Sequence, residues 1–499
     1  MNRRRGTALA LAASALAVFA LHWPYLRLPY FWDELGQFVP AGLDILQHGA
    51  WIPRSTVPNS HPPGLMAYLA LVWSVVGYSI PATRAAMLVV AAGVVAAAYE
   101  LAKRLGLRPG YAILAAALLL ADPLFQMQSL LAQLDLPAAL MTAVVLVLFL
   151  DDSVAWAAAA SVVLVLMKDT SAVVPAVLGV VLLREGRRKD ALMLVAPFMA
   201  LGIWFGVLWH ETGYVFGSPG YTHYNLAYAL HPVRATVSAL RRLYFLFVAD
   251  FRWVGAAALL YSLWKTDVFR GRGWRIVFVA SVAQTLLVTV LGGAALERYL
   301  LPVLPVLYCA YAAAFSTVPI RWRVPAVAVL VGGLISGWFL NPAFPFPYEN
   351  NLALVDFVRL HQEAARYLDK HYAGETIYTA WPLTGALRRP AFGYVDRPMA
   401  VRETSDLRAR TLVQLAGEQP RVLVLYSRTW EPKWGALRFR WVVRFLTRYY
   451  EYGPDLTREE VRSVLHLEPA ARWERGGQWA EVYARGPSQP AATAAAAVH

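Results

Sequence analysis

From Thr7 to about Leu340 one pattern recurs: an apolar run, a short polar break, then another apolar run. In hydrocarbon every backbone N–H and C=O must be satisfied within the spanning structure, so runs of this kind fold as helices. The 499-residue chain is 58% hydrophobic and only 16% charged, which is too apolar for an ordinary water-soluble domain. The reading is a polytopic α-helical membrane protein. After Leu340 the charge density rises and apolar blocks shorten, which predicts a membrane domain over 1–341 and a small α/β domain over 342–485. The tail 486–499, "GPSQPAATAAAAVH", is too poor in large apolar groups to order itself. Cys309 is the single cysteine, so an intrachain disulfide, a thiolate metal cluster and a CxxC redox site are all excluded.

Short loops rich in lysine and arginine stay cytoplasmic, and this threads the spans. The clusters Arg3-Arg4-Arg5, Lys103-Arg104-Arg108, Arg184-Arg187-Arg188-Lys189, Lys265-Arg270-Arg272-Arg275 and Arg321-Arg323 then share the inner face. Apolar segments between them predict spans at 7–23, 82–104, 110–122, 134–151, 154–168, 170–183, 190–210, 244–264, 274–292, 299–317 and 323–340. That is about eleven crossings. Segments 110–122 and 170–183 fall short of the ~20 residues of a straight span and read as half-helices. Segment 64–79 breaks the charge rule as a crossing and reads as a re-entrant or interfacial helix. The N-terminal "MNRRRGTALALAASALAVFALHWPY" is taken as the first span, because no clear small-x-small site precedes His22. The N-terminus is then cytoplasmic, with the C-terminal domain beyond the plasma (inner) membrane.

This threading collects polar groups on the outer face. Asp33 and Glu34 lie in "LRLPYFWDELGQF", just past the first span, and His61 in "NSHPPG". Asp122 and Asp135 bracket "ADPLFQMQSLLAQLD", Lys168 and Asp169 sit in "VLMKDTSAVVP", and Glu297 and Arg298 in "ALERYLLPVLP". Ionisable residues at membrane depth are costly, which makes each a functional candidate. Structural alternatives stand beside each. Asp122 suits a helix terminus, Asp135 a helix cap, His61 a turn before Pro-Pro, Lys168 and Asp169 a local ion pair, and Arg298 an interfacial anchor. Asp250 and Arg252 either pair within the membrane, or 233–251 lies along the outer interface with Arg241 and Arg242 toward headgroups or a phosphate.

The ordered set "FWDELGQF", "HPPG", "LLAQLDLPAAL", "LMKDTSAVVP" and "ERYLLPVLPVLY" resembles the GT-C glycosyltransferases of the protein-mannosyltransferase and aminoarabinose-transferase type. The resemblance covers most of 1–340. It implies a polyprenyl-phosphate sugar donor and transfer on the non-cytoplasmic face, with Asp33 as catalytic base and Arg298 as a ligand of the donor phosphate. Where the aminoarabinose transferases carry lysine before Pro-Pro, this chain has His61.

Residue chemistry agrees with that class. A departing lipid phosphate needs cations, which Arg298 and Lys168 supply. An incoming hydroxyl needs a base, with Asp33 first and Glu34 beside it. Direct displacement inverts the anomeric carbon. Asp135, His61 and Asp169 are candidates for holding sugar or acceptor, and Glu34 with His61 for a divalent metal ion, the sole cofactor suggested. No P-loop and no GxGxxG after a strand occurs, so a nucleotide-sugar donor is not expected. The acceptor is a glycan, lipid or protein hydroxyl. The net charge of +14 comes from inner-face arginines and a basic outer domain, which suits anionic membrane lipids and not nucleic acid. The competing class is a transporter or flippase, since intramembrane charge also marks transport paths. No duplication between 1–170 and 171–340 supports it.

Overall fold

The computed structural model describes residues 3–228, 230–291, 295–428 and 434–485; the tail 486–499 lies outside them. The chain forms two compact units. The first draws its described residues from 1–27, 36–341 and 349–352, and the second from 28–35, 342–348 and 353–499.

The first unit is helical. Among the described residues five helical segments are long and apolar enough to cross a membrane: Gly6–Tyr25, Ile80–Arg104, Arg188–Thr212, Arg272–Val290 and Glu297–Thr317. The pair Pro232–Phe247 and Ala249–Lys265, bent by 46°, makes a sixth if it is one broken span. Apolar side chains such as Leu16, Val75, Trp156 and Trp264 point outward, as hydrocarbon-facing surface does. The protein is a polytopic membrane protein. Gly64–Val76, Pro109–Ala121, Asp135–Leu150 and Val154–Met167 are shorter; at ~1.5 Å per residue they rise about 20–24 Å, less than the ~30 Å hydrocarbon core.

Local chemistry sets the helix ends. Ser79 caps Ile80–Arg104 by accepting from the Ala82 N–H at 3.2 Å, with proline in the first turn. At its other end Arg104 binds Asp151 at 3.1 Å. The helix Leu304–Thr317 is central, with every residue from Leu304 to Phe315 buried. Its "CAYAAA" run (309–314) is small enough for neighbouring backbones to approach closely.

Asp122, Asp250, Arg252 and Tyr308 close a buried polar knot. The Arg252 guanidinium reaches Asp122 at 2.5 Å and Asp250 at 2.8 Å, and its Nε donates to the Tyr308 hydroxyl at 3.2 Å. Tyr308 in turn donates to Asp122. Asp122 also caps Pro123–Gln128 through the Phe125 N–H at 3.0 Å. The helix-terminus reading of Asp122 and the first of the two alternatives for Asp250 and Arg252, a mutual ion pair, meet in one cluster. The knot sits at the break in the bent helix pair, where Asp250 and Phe251 take left-handed φ values of 50° and 62°. Such conformations are unfavourable for side chains other than glycine and persist where surrounding contacts hold them.

The second unit is built on a five-stranded mixed sheet: β1 (Ile377–Thr379), β2 (Val401–Glu403), β3 (Val422–Tyr426), β4 (Glu468–Arg475) and β5 (Gln478–Ala484). The order is β2-β1-β3-β5-β4, with β1 parallel to β2 and β3, and β5 antiparallel to β3 and β4. β3 is buried along its whole length, as its unbroken "VLVLY" requires. The amphipathic helix Ala353–Tyr372 covers β4 and β5. The "ETIYTAWPLTGAL" stretch carries a strand only over Ile377–Thr379; Leu383–Arg388 turns helical. Pro382 lacks the N–H a ladder needs.

His361, on Ala353–Tyr372, lies against Phe357 and Tyr426 with ring centroids 3.9 Å and 4.6 Å away. Burial pulls its pKa down to about 4, against a backbone bond to Phe357 that raises it. The unfolded chain therefore takes up this proton first as pH falls from 6.5 toward 4. The second unit is expected to lose up to about 3 kcal/mol across that window and to be insensitive to this group above it. Amide exchange on β3 at pH 7 and pH 4.5, corrected for intrinsic rates, measures this; His361→Gln should flatten the difference.

Candidate active site

Two polar centres meet at the turn between Val154–Met167 and Val173–Arg184. Lys168 and Asp169 are adjacent, yet they do not pair with each other; each serves a different centre.

The Lys168 ammonium binds Asp135. Asp135 opens the helix Asp135–Leu150 without capping it, and its second oxygen lies 3.5 Å from the Arg298 Nε. Arg298 extends to Glu349 at 3.2 Å, and Gln133 donates to the same carboxylate oxygen at 3.2 Å. Beside it Glu297 accepts from Arg241 and, at 3.0 Å, from Asn350. The Tyr299 ring is the hub, with Lys168, Arg298 and Arg242 at 4.5, 5.6 and 5.8 Å from its centroid. Asp135, Lys168, Arg242, Glu297, Arg298 and Glu349 are all 6% exposed or less. Four cations (Lys168, Arg241, Arg242, Arg298) therefore meet three carboxylates (Asp135, Glu297, Glu349). Arg242 Nε and Arg241 Nη2 are buried without a hydrogen-bond partner among the described residues. The buried cations Lys168, Arg242 and Arg298 match the carboxylates in number, Arg241 is partly exposed, and the unspent guanidinium N–H groups suit an added anion. Arginine presents a fork matched to phosphate oxygens.

Asp169 serves the second centre. Its Oδ1 lies 3.2 Å from His61 Nδ1, and its Oδ2 accepts from the Ser60 hydroxyl at 2.9 Å. His61 Nε2 is 2.9 Å from the Tyr221 hydroxyl. A neutral imidazole that donates from Nδ1 to Asp169 accepts from Tyr221, giving a Tyr-His-Asp chain. Beside it a shallow surface depression is lined by Gln37, Phe38, Trp51, Asn59, His61 and Trp204 among others. Aromatic faces with amide groups are suited to a sugar ring.

Two glycines let the His61 loop lie where it does. A Cβ on Gly64 would sit 2.8 Å from the carbonyl carbon of Leu166, and one on Gly217 (φ +89°) 2.6 Å from the Asn59 Cα. Both obstacles are backbone and cannot swing aside. Gly64→Ala is expected to cost about 1–3 kcal/mol by overpacking and to displace His61 from Asp169. A thermal melt in detergent reads the first effect.

Asp33 and Glu34 belong to the second unit. Glu34 is fully buried, and its Oε2 accepts the Phe31 N–H at 2.8 Å. The segment is anchored by Tyr30 against Phe392, by the Tyr394 hydroxyl on the Tyr30 carbonyl at 2.8 Å, and by Phe31 against Phe357. Asp33 is half-buried and follows Trp32, whose φ is +43°. The structure thus brings together Asp135, Lys168 and Arg298 as one cluster and His61 with Asp169 as another, and it places the acidic pair in the other unit. As suggested metal ligands, Glu34 and His61 each already hold protein partners. Among the described residues no group of three or more His, Cys, Asp or Glu could hold a metal ion.

Glu349 and Tyr221 were not singled out by sequence reasoning. Glu349 sits in "PYENN", past the last apolar run, where a carboxylate looks like ordinary surface. Tyr221 is one of 25 tyrosines. Arg241 and Arg242 carried a signal, as an arginine pair on an otherwise amphipathic segment.

The fold of this polytopic membrane protein is shared with solved structures of other proteins. ArnT from Cupriavidus metallidurans, solved bound to undecaprenyl phosphate, is similar to this chain with a TM-score of 0.55 at 14% identity, covering 97% of this chain and 99% of ArnT. Its apo structure gives the same TM-score and identity over 98% and 100%. The arabinofuranosyltransferase AftD from Mycobacteria is similar at a TM-score of 0.43 and 17% identity, over 97% of this chain and 40% of AftD. At these identities the likeness is one of fold. No family model and no curated protein matches the chain.

Proposed function

We propose that the protein is an integral membrane glycosyltransferase that moves a sugar from a polyprenyl-phosphate donor to an acceptor hydroxyl on the extracytoplasmic face, with inversion. The observation that carries this reading is the buried cluster around Tyr299, with its unspent guanidinium N–H groups on Arg241 and Arg242. ArnT, solved with undecaprenyl phosphate bound, supports a polyprenyl carrier. The reading keeps the eleven-span threading, a cytoplasmic N-terminus and an extracytoplasmic domain over 342–485.

Arg298 and Lys168 hold the donor phosphate and stabilise the charge that grows on it as the anomeric C–O bond breaks. Asp135 ties these two cations together and fixes their spacing. Asp33 takes the proton of the attacking hydroxyl, a role assigned from its residue type and from the resemblance that implies a base in the first loop. The acceptor oxygen then bonds the anomeric carbon from the face opposite the departing phosphate. His61, oriented by Asp169, and the aromatic depression beside it hold sugar or acceptor. With both ring nitrogens engaged, His61 is assigned to hydrogen bonding, not metal ligation.

The test offers purified protein in nanodiscs a panel of polyprenyl-phosphate sugars and follows release of polyprenyl phosphate. Asp33→Asn is expected to lower turnover about 100- to 10,000-fold, the range of general-base catalysis, while the protein keeps its melting temperature. Undiminished release by Asp33→Asn would remove Asp33 from the mechanism. No release by folded wild type with any donor and plausible acceptors would overturn the transferase reading.

A further inference from the structure

The helix Arg440–Tyr450, "RWVVRFLTRYY", is poorly accounted for by its own unit. Only Val442 is buried along it, and Phe445, Leu446, Tyr449 and Tyr450 are only partly covered. Short helices draw their stability from packing an apolar face, and this one packs little of it.

Its outer face has a distinct chemistry. At ~100° per residue, Arg440, Arg444, Arg448, Thr447 and Trp441 fall within a sector of about 120°. All five are exposed, Trp441 at 68%, and Phe439 just before the helix is 44% exposed. From Trp434 to Tyr450 the chain has four arginines and no acidic residue. Arg438, Arg440, Arg444 and Arg448 have no carboxylate partner among the described residues; Arg438 and Arg448 lie only against the rings of Phe439 and Tyr449. Elsewhere in this unit arginines do pair: Arg402 with Glu418 at 2.7 Å, Arg410 with Asp406 at 2.5 Å, Arg458 with Glu481 at 2.9 Å and Arg462 with Glu468 at 2.7 Å. Like charges one helical turn apart repel, so a face with three arginines that have no carboxylate partner among the described residues is costly unless it meets an anion.

We propose that the Arg440–Arg444–Arg448 face of this helix docks on the anionic lipid headgroups of the membrane that holds the chain. Arginines alternating with exposed tryptophan and phenylalanine are the composition of an interfacial helix, with cations on phosphates and aromatic rings at headgroup level. The protein is a polytopic membrane protein, so the bilayer is a partner tethered to the helix at all times. This inference is independent of the transferase reading.

The test uses full-length protein carrying a spin label at Thr447→Cys. Cys309 is fully buried and stays unlabelled in the folded protein. Accessibility of the label to oxygen, relative to a water-soluble nickel complex, is compared in phosphatidylcholine nanodiscs and in nanodiscs rich in phosphatidylglycerol. The expected result is a higher ratio in anionic discs, lost at high salt and in the Arg440→Glu/Arg444→Glu/Arg448→Glu variant. The three arginines together are expected to bias docking on the order of 100-fold. The salt titration on the otherwise wild-type helix needs no charge variant, so the outcome does not hang on how that variant folds. An equal ratio in both discs, or one unchanged by salt and charge reversal, would overturn the proposal. So would protection of the label by soluble polyphosphate where anionic lipid has no effect, which would assign the face to a free polyanion.

Discussion

Arg298→Ala is expected to lower release of polyprenyl phosphate about 100- to 1,000-fold, the usual cost of losing one preorganised contact to transition-state charge. The variant has a second consequence that must be separated from the first. Arg298 lies between Asp135 and Glu349, so its removal breaks both of these buried ion pairs, and stability falls too. Arg298→Lys keeps the charge but loses the fork. It is expected to retain most of the stability and to recover only part of the rate. Turnover measured beside the melting temperature for both variants separates the roles. If Arg298→Ala turns over normally while folded, the cluster is structural and the donor phosphate binds elsewhere.

The second large effect lies in the knot of Asp122, Asp250, Arg252 and Tyr308. Arg252 and Asp122 are fully buried, so Arg252→Met strands Asp122 and Asp250 without a counterion and is expected to destabilise the first unit by about 3–5 kcal/mol. The double variant Arg252→Met/Asp122→Leu removes the stranded Asp122 charge and is expected to regain a good part of that loss. It keeps a cost of about 1 kcal/mol for the helix cap that Asp122 provides to the Phe125 N–H. Denaturant unfolding of wild type, both single variants and the double closes the cycle. Simple addition of the two losses would mean that the pair is not coupled, against the 2.5 Å contact.

Much of the helical layout was legible because hydropathy in a membrane is a one-dimensional signal. The run read as 82–104 is the helix Ile80–Arg104, 110–122 is Pro109–Ala121, 134–151 is Asp135–Leu150 and 154–168 is Val154–Met167. The second unit was less legible. β3 is an unbroken apolar run, but β4, "EPAARWER", has little apolar alternation and is held as an edge strand by its ladder with β5.

At the candidate site, the sequence by itself determined which residue types are present and which are costly where they stand. Lys168, Asp135 and Arg298 are anomalous in apolar sequence whatever the fold, because desolvating a charge is expensive in any arrangement. Only the tertiary structure decided who pairs with whom. Lys168 and Asp169 are chain neighbours that turn to different centres, Asp135 binds a lysine in place of capping its helix, and Glu349 completes the coordination of Arg298. The physical reason is that an ion pair is fixed over a few ångströms by helix rotation and packing. One residue of helical phase turns a side chain by ~100°, and hydropathy along the chain carries no record of that angle between elements far apart in sequence.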